Sequence, residues 1–389
     1  MDVLRFAQQL VAIDSVTTHS NEELAAVLAQ WLEQQGFSVE IDAYLDLQGT
    51  PKKTVAAVRY PDRGDHAARA VGYFGHSDVV AVENWDCVHG GPFDAVCAQG
   101  RLWGRGACDM KGSIAAVLAA ISRISVRDQR APIYVFITGD EECGMLGAER
   151  LVTRSVVYRE FAGHQGVAII GEPTMMRLVA AHKGGCRLEI VATGVAAHSS
   201  TAEGQNANWA LIPFLSALAE INRHAQEDPR WQNAAFDPPH LTFNPVIINE
   251  PTALNITVGR AVCRLFYRPM PNTQISMEEV KETILTAAQR SGLTVQGVRE
   301  LPPLYTPSDS PAVRVLLRML NQEAPLAVSY ATDGCVLTDL RDRVVMGPGS
   351  IQQAHRGDEW ISLDELQQGT FVFERVLRRF CCAEDDVVK

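Results

Sequence analysis

No apolar run in the 389 residues approaches membrane-spanning length. The opening Met1-Asp2-Val3-Leu4-Arg5-Phe6 passes straight into helical periodicity, without the basic region, apolar stretch and small-residue cleavage site of a secretory signal. A cytoplasmic location is the expectation. Positive charge is also scarce: 35 Lys and Arg against 46 Asp and Glu leave a formal charge of −11. That balance disfavours phosphate backbones and anionic membranes, which recruit clustered cations. The nine cysteines, at positions 87, 97, 108, 143, 186, 263, 335, 381 and 382, contain no C-x-x-C pair. An odd, scattered set without an export signal fits neither a disulfide framework nor a thiolate zinc site. Gly347-Pro348-Gly349 lacks the lysine and the strand-to-helix setting of a phosphate loop, so no nucleotide cofactor is expected. Low-complexity segments and internal repeats are absent.

What remains is an ordinary globular composition, 47% hydrophobic and 21% charged, at a length that calls for two domains. Apolar or alternating runs at 37–44, 54–60, 70–74, 133–138 and 167–170 alternate with helical patterns at 20–36 and 113–124, which predicts an α/β sheet. The first helix is expected to open on a capping box of Ser20 and Glu23 and to stop at Gly36. From about Ala180 the texture becomes α+β, with a strand at 187–193, helices at 206–223 and 277–291, and a strand at 255–267. The Pro- and Asn-rich stretch at 228–251 reads as loops and short strands. These patterns predict a first domain of residues 1–179 and 300–389 interrupted by an inserted domain of residues 180–299.

The polar residues capable of chemistry follow the strand-like runs. His76 and Asp78 follow 71–74, Asp140, Glu141 and Glu142 follow 133–138, and Glu172 follows 167–170. In open α/β sheets such strand ends line the ligand crevice. Asp109 lies in a Gly-rich turn before a helix, and His355 lies beyond a Gly-Pro-Gly turn. Taken singly, each has an ordinary reading: a structural histidine, a helix cap, a solvated acidic loop. Taken together, two imidazoles and three carboxylates suit two borderline divalent ions, zinc foremost, with cobalt or manganese as alternatives. Two such ions can polarise a carbonyl and lower the pKa of a shared water to roughly 7.

Five ordered stretches carry a resemblance over nearly the whole chain: G-H-S-D-V-V at 75–80, G-R-G-A-C-D-M-K-G at 104–112, G-D-E-E at 139–142, G-E-P-T at 171–174 and Q-A-H-R-G-D-E at 353–359. They resemble the co-catalytic zinc hydrolases that include acetylornithine deacetylase, succinyl-diaminopimelate desuccinylase and carboxypeptidase G. The resemblance implies a mixed catalytic sheet flanked by helices and an inserted, ferredoxin-like lid or dimerisation domain. It makes His76, Asp109 and Glu172 ligands of one zinc and Asp109, Glu142 and His355 ligands of the other, with Asp109 as the bridge. Asp78 would orient His76, and Glu141 would be the general base.

Further roles follow from the same likeness. His198, in Ala197-His198-Ser199-Ser200, would stabilise an oxyanion, in a homodimer from the partner subunit, although a plain loop histidine also fits. Asn255 and Arg268 match substrate-contact positions, but Tyr267 stands where the family usually has an acidic residue, leaving the role of Arg268 open. A-H-K-G at 181–184 and G-P-G-S-I-Q-Q-A-H at 347–355 are most similar to the deacetylases. Hydrolysis of a small N-acyl amino acid, N-acetylornithine first, is therefore expected. Dipeptidase, carboxypeptidase or aminoacylase activity with the same metals is an alternative, and so is a metal-binding relative without catalysis. Apart from that likeness, its charge and its place in a loop upstream of His355 make Asp333 a candidate partner for a substrate ammonium group, or else the first residue of an Asp-Gly turn.

Overall fold

The structure, a computed structural model, describes residues 1–66 and 70–382. Residues 67–69 and 383–389, which belong to the predicted first domain, lie outside them. The chain divides into one unit of 1–180, 306–326 and 332–389 and a second of 181–305 and 327–331.

The first unit is built on a mixed sheet. Its strands lie in the order Ser38–Leu45, Pro51–Arg59, Ile133–Thr138, Val71–His76, Val167–Ile170 and Asp342–Val345, with a last short pairing between Val345 and Val179. The four strands from Ile133–Thr138 to Asp342–Val345 run parallel, and the first two are antiparallel neighbours at the edge. Every residue of the parallel strands is buried, which explains their near-continuous apolar runs: such strands are covered on both faces. Helix Lys111–Ile121 is buried along its whole length and packs against Leu363–Cys381 and Val3–Val11, so it is apolar all round rather than striped. Rings of Phe74, Phe136, Tyr134, Tyr158 and Phe161 form another cluster.

The helix predicted at 20–36 forms at Glu22–Gln34, and Gly36 ends it at φ 81°. Its start corrects the sequence reading. Asn21, not Ser20, is the N-cap residue, and it makes no side-chain cap bond. The Asn21 amide is instead committed to the sheet: it exchanges hydrogen bonds with main-chain Lys53 at 2.8 Å and donates to Ser77 Oγ at 2.8 Å.

In the second unit the chain order is strand Gly185–Thr193, helix Asn208–Glu227, strands Thr242–Glu250 and Arg260–Arg268, helix Met277–Arg290 and strand Thr294–Leu301. The four strands form an antiparallel sheet in the spatial order second, third, first, last: Thr242–Glu250, Arg260–Arg268, Gly185–Thr193 and Thr294–Leu301. This is the split β-α-β arrangement of ferredoxin-like folds. Two expectations are corrected here. The stretch 228–251 contains a full nine-residue strand, Thr242–Glu250, which tolerates Pro245 because an edge strand has one unpaired side. Residues 255–257 precede the next strand, which starts at Arg260. All nine cysteines are free, and no helix among the described residues is long and apolar enough to cross a membrane.

Candidate metal centre

Parallel strands share one carboxyl edge, and the candidate ligands gather there. His76 is the last residue of its strand, Glu142 follows Thr138 by one tight turn, and Glu172 stands two residues past Ile170. Asp109 arrives from the N-terminal end of the buried helix. The N-cap there is Met110, with no side-chain cap bond, so the Asp109 carboxylate is not spent on capping. The turn at 347–349 locks onto the turn at 171–174: Thr174 and Met176 donate main-chain bonds to the Gly347 carbonyl at 3.0 and 2.9 Å. A Cβ on Gly347 would lie 2.0 Å from the Gly171 oxygen, so this approach requires glycine.

Two triads result. His76 Nε2 lies 3.0 Å from Asp109 Oδ1 and 3.5 Å from Glu172 Oε1. His355 Nε2 lies 3.0 Å from Glu142 Oε1 and 3.4 Å from Asp109 Oδ2. The two oxygens of Asp109 thus face different partners, and within each triad the ligand atoms lie within 4.8 Å of one another. A tetrahedral zinc with bonds of about 2.0–2.1 Å separates its ligands by about 3.4 Å. The donor set and spacing therefore fit two metal ions sharing Asp109.

Electrostatics agree with a cation site. Burial pushes the Glu172, Glu141 and Glu142 carboxyls above their usual range; Asp109 adds to the effect on Glu172, while Glu172, Glu142 and Asp333 add to that on Glu141. Burial disfavours the imidazolium of His76, yet Glu172 and Asp109 outweigh it and hold the ring well above its ordinary value. Hydrogen bonds to Asp109 and Glu142 push His355 up to about 10. Crowded buried carboxylates with only two imidazoles between them lack positive charge, and divalent ions supply it.

The supporting residues divide differently from the sequence reading. The Asp78 carboxylate does not hold His76: Asp78 Oδ1 is 3.8 Å from His76 Nδ1, whereas the Asp78 main-chain carbonyl accepts from Nδ1 at 2.9 Å. A carbonyl only accepts, so Nδ1 carries the proton and Nε2 is free to bind metal. The carboxylate of Asp78 accepts the main-chain N–H groups of Glu141 and Glu142, each at 3.2 Å, and so shapes the acidic turn. Asp140, the first acid of that turn, pairs with buried Lys52 at 3.0 Å. One of the three adjacent charges is therefore neutralised by an ammonium group rather than by a metal. Glu359, quoted above only as part of a motif, accepts four hydrogen bonds from 105–109; no local pattern announces that task.

Asp333 opens a short 3-10 turn, is 3% exposed, and accepts from Thr138 Oγ1 at 2.5 Å. In the second unit, His198 is exposed and its Nδ1 lies 2.7 Å from Ser200 Oγ. Its main chain bridges Ile256, and Ser199 donates to the Asn255 carbonyl at 2.9 Å, so His198 and Asn255 stand on adjoining loops. Arg268 ends its strand with its guanidinium over the Phe266 ring at 4.8 Å. Tyr267 points into the unit's core, fully buried and stacked on Phe243 at 5.6 Å. The alternation of a strand puts it on the opposite face from Arg268.

The chain is similar to known proteins along nearly its whole length. The chain is 31% identical over 379 residues to an acetylornithine deacetylase of Proteus mirabilis, covering 96% of this chain and 94% of that protein. Its fold is similar to that of an M20 family metallo-carboxypeptidase from Sulfolobus solfataricus, with a TM-score of 0.72, 20% identity and coverage of 98% and 99%. Human carnosine dipeptidase 1 is also similar in fold, with a TM-score of 0.69, 18% identity and coverage of 97% and 96%. The family model for peptidase family M20/M25/M40 matches residues 72–379, and the chain belongs to that family.

Proposed function

We propose that this chain is a metal-dependent amide hydrolase acting on a small N-acyl amino acid, N-acetylornithine first, with two zinc ions held by His76, Asp109, Glu142, Glu172 and His355. The observation that carries the reading is the divided Asp109 carboxylate, each oxygen set in its own triad. The near-full-length similarity to an acetylornithine deacetylase supports the substrate. When bound, the ions supply Lewis acidity toward a carbonyl oxygen and a water. Cobalt or manganese would serve the same ligand set.

The chain's own groups do the rest. Glu141 takes the proton of the attacking water and delivers it to the leaving amine; burial, which raises its carboxyl, suits it to hold that proton between the two steps. The main-chain bonds from Glu141 and Glu142 to Asp78 keep the base beside the ligand without letting the turn relax. His198 is proposed to donate to the oxyanion and Asn255 and Arg268 to contact the substrate, the second unit acting as lid and dimerisation domain of a cytoplasmic homodimer. Asp333 is proposed to meet the substrate ammonium, on condition that the wall burying it opens on binding.

The test is a panel of N-acetylornithine, N-succinyl-diaminopimelate, N-acetylmethionine and a neutral dipeptide, offered to zinc-loaded protein with freed amine as the readout. Preferential acetylornithine cleavage, abolished by chelator and restored by zinc, is expected. Preference for another member of the panel overturns the substrate, and turnover insensitive to chelator overturns the metal mechanism. If Asp333→Asn leaves the preference for cationic over neutral substrates unchanged, that contact is wrong. Scattering profiles unaltered by a tight-binding product analogue would count against the second unit closing over substrate as a lid.

A further inference from the structure

Glu359 stands four residues beyond His355, on the segment that delivers a candidate ligand, yet its own carboxylate belongs to neither triad and binds the loop 105–109 instead. It is 1% exposed. Its Oε1 accepts the main-chain N–H groups of Cys108 and Asp109 at 2.8 and 2.9 Å, and its Oε2 accepts Gly106 N–H at 3.0 Å and Arg105 Nη1 at 2.8 Å. Gly104 also donates to the Glu359 main-chain carbonyl at 3.1 Å. The loop that ends on the shared aspartate is therefore wrapped around a carboxylate 250 residues away in sequence.

A buried charge is retained only where it is paired and its lone pairs are used. Here the guanidinium of Arg105 compensates the charge, and both oxygens are doubly engaged. The arrangement also fixes a direction. With the amide hydrogens of Gly106, Cys108 and Asp109 drawn to one point, the peptide planes are set, and the Asp109 side chain leaves its backbone toward His76 on one side and His355 on the other.

We propose that Glu359 is a positioning residue for the metal pair: by holding the main chain at 106–109 it aims both Asp109 oxygens, and so governs affinity at both sites at once although it ligates neither. The inference rests on the two-metal reading above. Glutamine at 359 has nearly the same shape but one acceptor oxygen, and its NH2 group would face N–H donors. Asp109 would then lose the orientation on which both triads depend.

The experiment is competitive metal titration of the full chain, with zinc or cobalt against a chromophoric chelator, and the cobalt absorption spectrum as a second readout. Glu359→Gln is compared with Glu172→Gln, which alters a residue of a single triad. Loss of a supporting partner of this kind weakens metal binding by about 10–100-fold. The expected result is weakening of both equivalents in Glu359→Gln, with a changed cobalt spectrum, but of one equivalent in Glu172→Gln, while the metal-free proteins unfold cooperatively. Two equivalents bound as tightly as in the parent would overturn the proposal, as would weakening of one alone. Failure of the parent to bind metal would instead overturn the two-metal reading. Where Glu359→Gln does not fold, Glu359→Asp, which keeps the charge but shortens the reach, decides by the same titration.

Discussion

Within the first unit the buried side chains include Lys52, Arg59, His76, Asp78, Arg105, Asp109, Lys111, Asp140, Glu172, Asp333, Arg343 and Glu359, whereas in the second the buried polar or charged residues among those described are His182 and Lys183. Apart from these two, the second unit keeps its charged side chains at least partly exposed, as in Glu189 with Arg264 and Lys281 with Glu300, and fills its interior with Leu188, Ile190, Phe214, Leu265 and Ile284. Both units bury an apolar core, so stability alone does not require buried charge. Burying ions is expensive unless each is paired. A region that accepts that expense in bulk and arranges it around two imidazoles is organised for chemistry, whereas the interior of the other is organised as an apolar core.

That contrast can be broken deliberately. The largest effect is expected from Glu141→Gln, which removes the proton carrier without altering a ligand: turnover should fall by about 10²–10⁴ with metal content unchanged. Parent-like turnover would remove Glu141 from the mechanism. Next is Lys52→Met, which leaves Asp140 buried without its cation; loss of one partner of such a pair destabilises by about 3–5 kcal/mol. Denaturant unfolding measures it, and a change under about 1 kcal/mol would show that the pair is not buried in solution.

Asp333 sharpens the comparison through pH. Burial, with Asp78 adding to it and Thr138 and His76 opposing, pushes its carboxyl from 3.8 up to about 6. Because the folded value is the raised one, the stabilising contribution is complete below pH 3.8 and is lost as pH rises through 6. In metal-free protein, Asp333→Asn is therefore expected to have a higher unfolding free energy than the parent at pH 7.5, by up to about 3 kcal/mol, with the difference shrinking toward pH 4. A difference that stays constant with pH would contradict the ionised, buried state. The smallest effect belongs to the second unit: Arg264→Ala removes a half-exposed pair with Glu189 and should change unfolding free energy by less than about 1 kcal/mol.

Much of the candidate site is legible because three of its five candidate ligands follow strands, where local pattern is strongest. A strand buried on both faces writes itself as an apolar run, and the residue at its carboxyl end is then conspicuous, as His76, Glu142 and Glu172 are. Helix 111–121 betrayed itself in the same way, through apolar residues on every side. The start of the first long helix was misread because a Ser-x-x-Glu pattern describes only local options, while Asn21 had long-range partners in Lys53 and Ser77. The strand Thr242–Glu250 was hidden by its proline, since the pattern does not say which side of a strand goes unpaired.

The sequence by itself determined the kinds of element, their order, and the residue types able to bind two metal ions, because burial and metal chemistry both select side chains at short, regular spacing. Tertiary structure alone decided what each acid does. Asp140 goes to Lys52, the carboxylate of Asp78 to the main chain of Glu141 and Glu142, Glu359 to the loop before Asp109, and Asp109 to both histidines. A carboxylate carries no mark of its partner in the sequence. The partner is whichever cation or amide the fold brings within about 3 Å, the range in which a hydrogen bond or a metal ligand operates.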